Sequence, residues 1–164
     1  MFHRLNSHSL KPKMDKKELA VAALRNGTVI DHIPQQVLFK CVQILGLENV
    51  HTQLTIGNNL ESGKHVRKGI IKVADIYFPE AMINRIAFIA PNAVINIIKD
   101  FEVVDKRKVA LPQTIVGIVK CDNPKCITNH EPMDTKFDTV DSEQGIVKCC
   151  YCGQETNRTL ATLL

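Results

Sequence analysis

Five cysteines in the last 44 residues constrain this 164-residue chain more than any other feature of its sequence. Cys121 and Cys126 form a C-x4-C pair, and Cys149 and Cys152 form a C-x2-C pair after 22 intervening residues. Two such pairs, each on a short turn and joined by a β-type loop, are typical of a tetrahedral four-cysteine zinc site. The sequence therefore predicts one structural zinc ion bound by these four thiolates.

Cys150 leaves an alternative open within the second pair. Neighbouring side chains on an extended strand point to opposite sides, so Cys150 is expected to pack or to face solvent if Cys149 binds the metal. A clamp of Cys150 and Cys152 is the other arrangement, with a C-x-C spacing that is rarer in zinc sites. The sixth cysteine, Cys41, falls on the apolar face of a predicted helix and is expected in the core.

Three other uses of the cysteines fit the sequence less well. A plant-type iron–sulfur centre needs a third cysteine where Asn129 stands. A redox C-x-x-C opens a helix next to a βαβ unit, which "CCYCGQE" does not provide. A disulfide conflicts with the cytoplasmic location that we expect, because the N-terminal segment has no apolar signal region and no apolar run approaches the ~18 residues of a membrane span.

Charge divides the chain into two parts. Residues 1–112 carry 16 Lys or Arg and 10 Asp or Glu, whereas residues 113–164 carry 5 and 7. The first part therefore attracts anions, and the cysteine-bearing part repels them. A zinc-ribbon nucleic-acid-binding protein is the alternative function, but such a ribbon needs basic and stacking residues, and this tail has only Phe137 and Tyr151 as aromatics. We therefore expect no nucleic-acid partner.

Hydrophobic periodicity predicts an α+β domain ahead of the cysteines. The predicted elements are a strand at 27–33, a helix opened by Pro34 and ended by Gly46, a hairpin of strands at 51–60 and 68–78, a helix at 79–90, and strands at 93–98 and 101–104. This order is close to the split βαβ arrangement of ferredoxin-like folds, an antiparallel sheet with two helices on one face.

Composition also predicts the domain boundaries. Residues 1–14 read as a disordered polar arm, and Met14 is a candidate true start of the chain. Residues 15–110 form the α+β domain, which ends in the charged and proline-containing stretch "DKRKVALPQ". Residues 113–164 form a small all-β domain that is too short to build a good core alone, so a metal is expected to stabilise it.

Polar residues of the first domain suit a nucleoside triphosphate. The Asp31 carboxylate can accept hydrogen bonds from ribose hydroxyls, while His32 and lysines such as Lys68 and Lys72 can bind phosphate oxygens. The sequence contains no Walker loop and no Rossmann glycine motif, so a hydrolase cradle is not expected. The same residues also fit a lysine-fringed sheet capped by an Asp–His pair, and composition alone does not separate the two interpretations.

Several motifs in one order resemble a known family. "GTVIDHIP", "TIGNNLESG", "RKGIIKV", "VINII" and "FEVV" precede the cysteine pairs. Over about residues 19–164 the chain resembles the regulatory chain of bacterial and archaeal aspartate carbamoyltransferase. The resemblance implies a non-catalytic chain whose first domain binds CTP as an inhibitor and ATP as an activator of pyrimidine synthesis, in some members together with UTP. It also implies that the zinc domain docks onto the catalytic chain and that regulatory dimers join two catalytic trimers.

The resemblance further implies roles for individual residues. Asp31 is expected to face the ribose, His32 the phosphates, and Lys72 the ribose and the base. The remaining implied nucleotide-binding residues are Asn96 and Lys106 near the phosphates, Lys68 as a further lysine of the nucleotide response, and Val21, Leu24, Ile98, Phe101 and Val103 around the base. Three departures, Ala22 for a carboxylate, Phe101 for the common tyrosine and Asp105 beside Lys106, are expected to retune the choice between CTP and ATP.

Overall fold

The computed structural model of the protein describes residues 21–63 and 66–164. In chain order its elements are β1 (Gly27–Pro34), α1 (Leu38–Ile44), β2 (Leu54–Glu61), β3 (Arg67–Ala74), α2 (Glu80–Ile83), β4 (Val94–Lys99), β5 (Glu102–Lys108), β6 (Thr114–Val116), β7 (Lys136–Asp141), β8 (Ile146–Cys149) and β9 (Glu155–Asn157). Short 3-10 turns lie at Leu47–Asn49, Asn84–Ile86 and Ile127–Asn129. The arm predicted at residues 1–14 lies outside the described residues.

The first sheet has the strand order β2-β3-β1-β4-β5, and each neighbouring pair is antiparallel. The predicted hairpin is the β2–β3 pair. Order β2-β3-β1-β4, built from a strand–helix–strand–strand–helix–strand succession, is that of the ferredoxin-like fold, and β5 adds an edge strand. The predicted fold class is therefore confirmed.

Alternate residues of the central strands face one hydrophobic core beneath the two helices. Ile30 pairs with Ile71 on one side and Ile95 on the other, and all three side chains are buried. Cys41 of α1 and Ile83 of α2 belong to the same core, as expected for Cys41. Burial raises the pKa of Cys41 to about 12, so this thiol stays neutral and packs as a small apolar side chain.

The predicted start of the first helix was wrong. Pro34 is the last residue of β1, where it pairs with Lys68, and α1 begins only at Leu38. A proline biases the residue before it, here Ile33, towards extended backbone, and at a strand end its missing N–H costs nothing. The predicted helix end is confirmed, because Gly46 follows α1 with a left-handed φ of 63°.

The second helix is shorter than predicted. Helix α2 ends at Ile83, and a 3-10 turn follows. All residues from 86 to 90 are buried, so the apolar run is not confined to one helical face. The α-helix ends here because residues 86–90 are all buried, and a helix with only one face on the core cannot bury five consecutive side chains. The last strand of the sheet is longer than predicted: β5 continues to Lys108, which pairs with Val94.

Gly27 is required at the start of β1. Its φ is +132°, and a Cβ there would lie 2.1 Å from the carbonyl oxygen of Val73 on β3. Only glycine combines that backbone conformation with so close an approach of two strands.

The second sheet has the order β6-β7-β8-β9 and is antiparallel throughout. Its core includes Ile115, Phe137 and Val147, and these residues belong to one cluster with the core of the first sheet. The predicted small all-β unit is confirmed. Within residues 21–63 and 66–164, each helix falls short of the length and apolar character that a membrane span requires.

Candidate functional site

A cavity of about 320 Å³ opens on the face of the first sheet that points away from the core. Eight of the eleven residues predicted to bind a nucleotide line it: Leu24, Asp31, Lys72, Asn96, Ile98, Phe101, Val103 and Lys106. Along β1, β3 and β4 these side chains alternate with core residues, as the two-residue period of a strand requires. The fold therefore brings residues that are up to 82 positions apart in sequence onto one surface.

Strand register sets the internal order of this cavity. Val29 pairs with Lys72 on β3 and with Asn96 on β4, and Asn96 pairs with Lys106 on β5. These four residues form a row across four strands, with a lysine at each end. The pair of Ile98 with Val103 lies to one side of the row, and it makes that end of the cavity apolar.

Lys72 also contacts the segment that precedes β1. Its Nζ donates hydrogen bonds to the carbonyl oxygen of Val21, at 3.4 Å, and to that of Ala22. Burial lowers the pKa of this ammonium, and the Asp31 carboxylate partly opposes the effect. An anion bound in the cavity would stabilise the charged form of Lys72.

A β-bulge separates two of the predicted residues from this cavity. The register of β1 shifts between Ile30 and Ile33, and His32 has a φ of 61°. His32 and Lys68 line a neighbouring cavity of about 840 Å³, together with Arg67. The strand predicted at 27–33 is thus interrupted by this bulge, and it continues one residue further, to Pro34.

Asp31 lies between the two cavities. Both of its carboxylate oxygens are 2.8 Å from Nζ of Lys68, and Oδ2 is 3.4 Å from Nδ1 of His32. The predicted Val21 lies outside the lining as well, with its side chain beside Gly57 of β2. Of the predicted set, Val21, His32 and Lys68 thus surround the first cavity without lining it.

Three lining residues were missed by the sequence reasoning: Ala23, Val29 and Ile70. For two of them the strand periodicity of the sequence could have indicated the position. Val29 is two residues before Asp31, and Ile70 is two residues before Lys72, so each shares a strand face with a predicted residue. Ala23 belongs to the irregular segment before β1, where no periodicity applies.

In the second sheet the four predicted cysteines converge. The sulfur atoms of Cys121, Cys126, Cys149 and Cys152 all lie within 4.8 Å of one another. Sγ of Cys121 is 3.5 Å from Sγ of Cys152, and Sγ of Cys126 is 3.8 Å from Sγ of Cys149. Cys150 stands apart and is exposed. The structure thus selects the 121/126/149/152 set over the alternative with Cys150 and Cys152.

The sulfur spacing fits a tetrahedral metal centre. Four thiolates about 2.3 Å from a central zinc-sized ion would have sulfur atoms roughly 3.8 Å apart. A disulfide would require about 2.05 Å, and the four cysteines are free. Burial raises the pKa of Cys121 and of Cys149, so a cation is needed to stabilise the thiolate forms of these two residues.

Neighbouring polar groups hold the first cysteine loop. The side-chain amide of Asn129 donates to the carbonyl oxygens of Cys121, at 2.9 Å, and of Asn123, at 2.8 Å. The hydroxyl of Thr128 is 3.2 Å from Sγ of Cys126. These contacts fix the loop that carries two of the four sulfurs, as outer-shell partners do in metal sites.

Family models match both parts of the chain. Residues 19–110 match the allosteric domain of the aspartate carbamoyltransferase regulatory chain, and residues 113–161 match its metal-binding domain. These matches support a regulatory, non-catalytic chain that binds a metal and associates with the catalytic chain of that enzyme.

Individual relatives agree with the family models. The aspartate carbamoyltransferase regulatory chain of Parabacteroides distasonis is 57% identical over 143 residues, covering 87% of this chain and 93% of the relative. That of Phocaeicola vulgatus is 53% identical over 155 residues, covering 94% and 100%, and that of Pyrococcus abyssi is 44% identical over 150 residues, covering 89% and 99%. The chain therefore belongs to the family of aspartate carbamoyltransferase regulatory chains.

Proposed function

We propose that the cavity on the first sheet binds CTP as an inhibitor and ATP as an activator of the catalytic chain. In this proposal residues 15–110 form the nucleotide-binding domain, and residues 113–164 form a zinc-binding domain that contacts the catalytic chain. The observation that carries the proposal is the row Lys72–Val29–Asn96–Lys106, which offers cations and an amide beside an apolar end.

The chemistry of the lining matches the parts of a nucleotide. Leu24, Ile98, Phe101 and Val103 offer an apolar wall for a base. Lys72, between this wall and Asp31, is suited to the ribose and the base edge, while Asn96 and Lys106 are suited to phosphate oxygens. Within the described residues, neither Lys72 nor Lys106 forms a salt bridge with a carboxylate. Both ammonium groups are therefore available to bind an anion.

The phosphate chain of the nucleotide is proposed to extend towards the bulge in β1. His32 and Lys68 lie there, around the Asp31 carboxylate. An arriving phosphate would compete with Asp31 for Lys68, since a lysine ammonium binds oxygens of either group as a point charge. With this placement, Lys68 and His32 would contact the phosphates even though they line the neighbouring cavity.

Regulation follows from linkage. A nucleotide shifts the enzyme between two states only by its differential affinity for them, so CTP and ATP must fit the cavity differently in the two states. UTP acting together with CTP, and dimers formed by two regulatory chains, are further parts of the proposal that rest on family membership. The departures at Ala22, Phe101 and Asp105 bear on effector preference.

Zinc is the metal proposed for the four-cysteine cluster. Four thiolates complete a tetrahedral shell, so the site is closed to water and substrate and the metal acts structurally. The acidic balance of residues 113–164 opposes the nucleic-acid-binding alternative.

The proposal is tested by isothermal titration of CTP and ATP into the metal-loaded chain. Wild type is expected to bind both nucleotides, and Lys106→Met is expected to bind them about 10- to 150-fold more weakly, since a charge-assisted contact contributes ~1.5–3 kcal/mol. Lys125→Met is the matched control, because Lys125 is also exposed but lies in the second domain. Absence of binding by wild type at millimolar nucleotide would refute the proposal.

The regulatory part is tested in the complex. The chain is co-expressed with an aspartate carbamoyltransferase catalytic chain, and aspartate saturation is measured with and without each nucleotide. CTP is expected to shift the curve to higher aspartate concentration and ATP to lower. An unchanged curve with both, in a complex that has assembled, would show that binding is not coupled to catalysis.

A further inference from the structure

The turn between β4 and β5 has an unfavourable backbone for its sequence. Lys99 pairs with Glu102, so the loop consists of Asp100 and Phe101 alone. Their φ angles are 49° and 68°. Two-residue hairpin loops with both φ angles positive favour glycine at the second position, because a Cβ there is sterically disfavoured. Phe101 occupies that second position.

Packing against the described residues does not compensate for this conformation. The Phe101 side chain is 64% exposed, although it lines the cavity on the first sheet. A bulky aromatic held in a disfavoured conformation and left uncovered is a feature that structures retain at ligand sites. The ring is thus available to a ligand in the cavity.

Asn26, in the segment directly before β1, holds this turn. Its Oδ1 accepts a hydrogen bond from the backbone N–H of Asp100 at 3.0 Å. Next to it, the carbonyl oxygen of Arg25 accepts from the N–H of Phe101 at 2.9 Å. The Arg25–Asp100 ion pair is 3.6 Å long and largely exposed, so it adds little.

These bonds join two walls of one cavity. Leu24 lies directly before Arg25 and lines the cavity, as Phe101 does. Asn26 itself is absent from that lining. Among the residues that the structure describes, its side chain therefore acts on the cavity through the turn.

We propose that Asn26 is a positioning residue for nucleotide recognition. By fixing the Asp100–Phe101 turn against the segment before β1, Asn26 keeps the Phe101 ring and Leu24 at a spacing that holds a planar base. The inference rests on the proposed nucleotide site. It adds that the base-dependent part of the affinity depends on Asn26, whereas the phosphate-dependent part, carried by Asn96 and Lys106, does not.

The test compares ligands with and without a base. CTP, ATP and inorganic tripolyphosphate are titrated into the full metal-loaded chain. Asn26→Ala is expected to weaken CTP and ATP about three- to tenfold, the effect of one neutral hydrogen bond, and to leave tripolyphosphate unchanged within about twofold. Asn26→Asp keeps an acceptor oxygen but adds a negative charge that acts on all three anions, so it is expected to restore most of the loss when CTP and ATP affinities are referred to that of tripolyphosphate.

Asn157 provides a matched control. Its Oδ1 accepts from the backbone N–H groups of Thr159 and Leu160, at 3.0 and 3.1 Å, in the second domain. Asn157→Ala removes the same type of bond far from the cavity and should leave all three affinities unchanged.

A second variant keeps the inference testable if Asn26→Ala fails to fold. Phe101→Gly relieves the backbone of the turn and removes the ring. Its Tm is expected to rise by ~2–4 °C, while CTP and ATP weaken at least about tenfold and tripolyphosphate does not. A lower Tm would contradict the argument from backbone conformation.

The outcomes separate this inference from the function on which it rests. If wild type binds CTP and ATP, and Asn26→Ala binds them equally well, the inference is overturned and the nucleotide site stands. If Asn26→Ala weakens tripolyphosphate as much as CTP, Asn26 has a general structural role and the inference is again overturned. If wild type binds neither nucleotide, both proposals fail.

Discussion

Loss of one cysteine of the cluster should unfold the second domain. Cys126 is the most informative position, because its side chain is only 1% exposed and its sulfur is 3.8 Å from that of Cys149. Cys126→Ser replaces a thiolate by a hydroxyl that binds zinc poorly and would leave a polar group in a buried position.

The expected magnitude exceeds the stability available to the domain. A unit of the size of residues 113–164 has a folding free energy of ~3–8 kcal/mol by the usual per-residue value. A structural zinc ion in a four-ligand site contributes roughly 10–16 kcal/mol of apparent binding free energy. Even a partial loss of that contribution makes the free energy of unfolding of the domain negative, so the unfolded state is favoured.

Hydrogen exchange measured by mass spectrometry on the full chain tests this prediction. In Cys126→Ser, peptides of β7 and β8 should exchange at the rate of an unfolded chain, while those of β1 and β3 stay protected. Cys41→Ala is the matched control, since it removes a fully buried cysteine outside the cluster. Protection of β7 and β8 in metal-free Cys126→Ser would refute the reasoning.

Three further perturbations follow from the first domain. Gly27→Ala places a Cβ 2.1 Å from a backbone oxygen of β3, so urea unfolding should show a free energy of unfolding lower by about 2–4 kcal/mol. Gly63→Ala is the control and should change this free energy little, because the added Cβ meets open space. CTP affinity should fall as pH rises through the lowered pKa of Lys72, because the bound anion favours the protonated ammonium. Titrations of CTP between pH 7 and 10 should show this decrease of affinity with pH in wild type and a smaller decrease in Lys72→Met. Asp31→Asn leaves Lys68 without its carboxylate partner at 2.8 Å, and thermal unfolding should report a loss of about 1–3 kcal/mol that Glu61→Gln, at an exposed pair, does not reproduce.

The metal cluster was the most predictable part of the molecule. Ligand spacing in sequence reflects turn geometry around one ion, so the pairs at 121/126 and 149/152 indicated the set, and only the alternative use of Cys150 needed the structure to exclude it. The order of strands and helices likewise sufficed for the fold class. Cavity residues such as Asn96 and Lys106 came from the family resemblance, and their grouping on one sheet face agrees with strand periodicity.

Local errors arose where two physical preferences compete. Pro34 fits either the first turn of a helix or the end of a strand, and the pairing with Lys68 decides for the strand. The bulge turns His32 towards the neighbouring cavity. The residues of β1 give no sign of it, because their pattern is the ordinary two-residue period of a strand. In α2, burial of every residue from 86 to 90 overrides the helical period.

The single-layer construction of the first sheet has a mechanical consequence. The strands that present Lys72 and Asn96 to the cavity present Ile71 and Ile95 to the helices, so ligand and core are separated by one backbone thickness. Because the interior is close-packed, strands that spread or twist to fit a larger base must displace the side chains behind them. If the cavity binds nucleotides as proposed, the size of the bound base would be converted into a helix position across a few ångströms, without a long relay of residues.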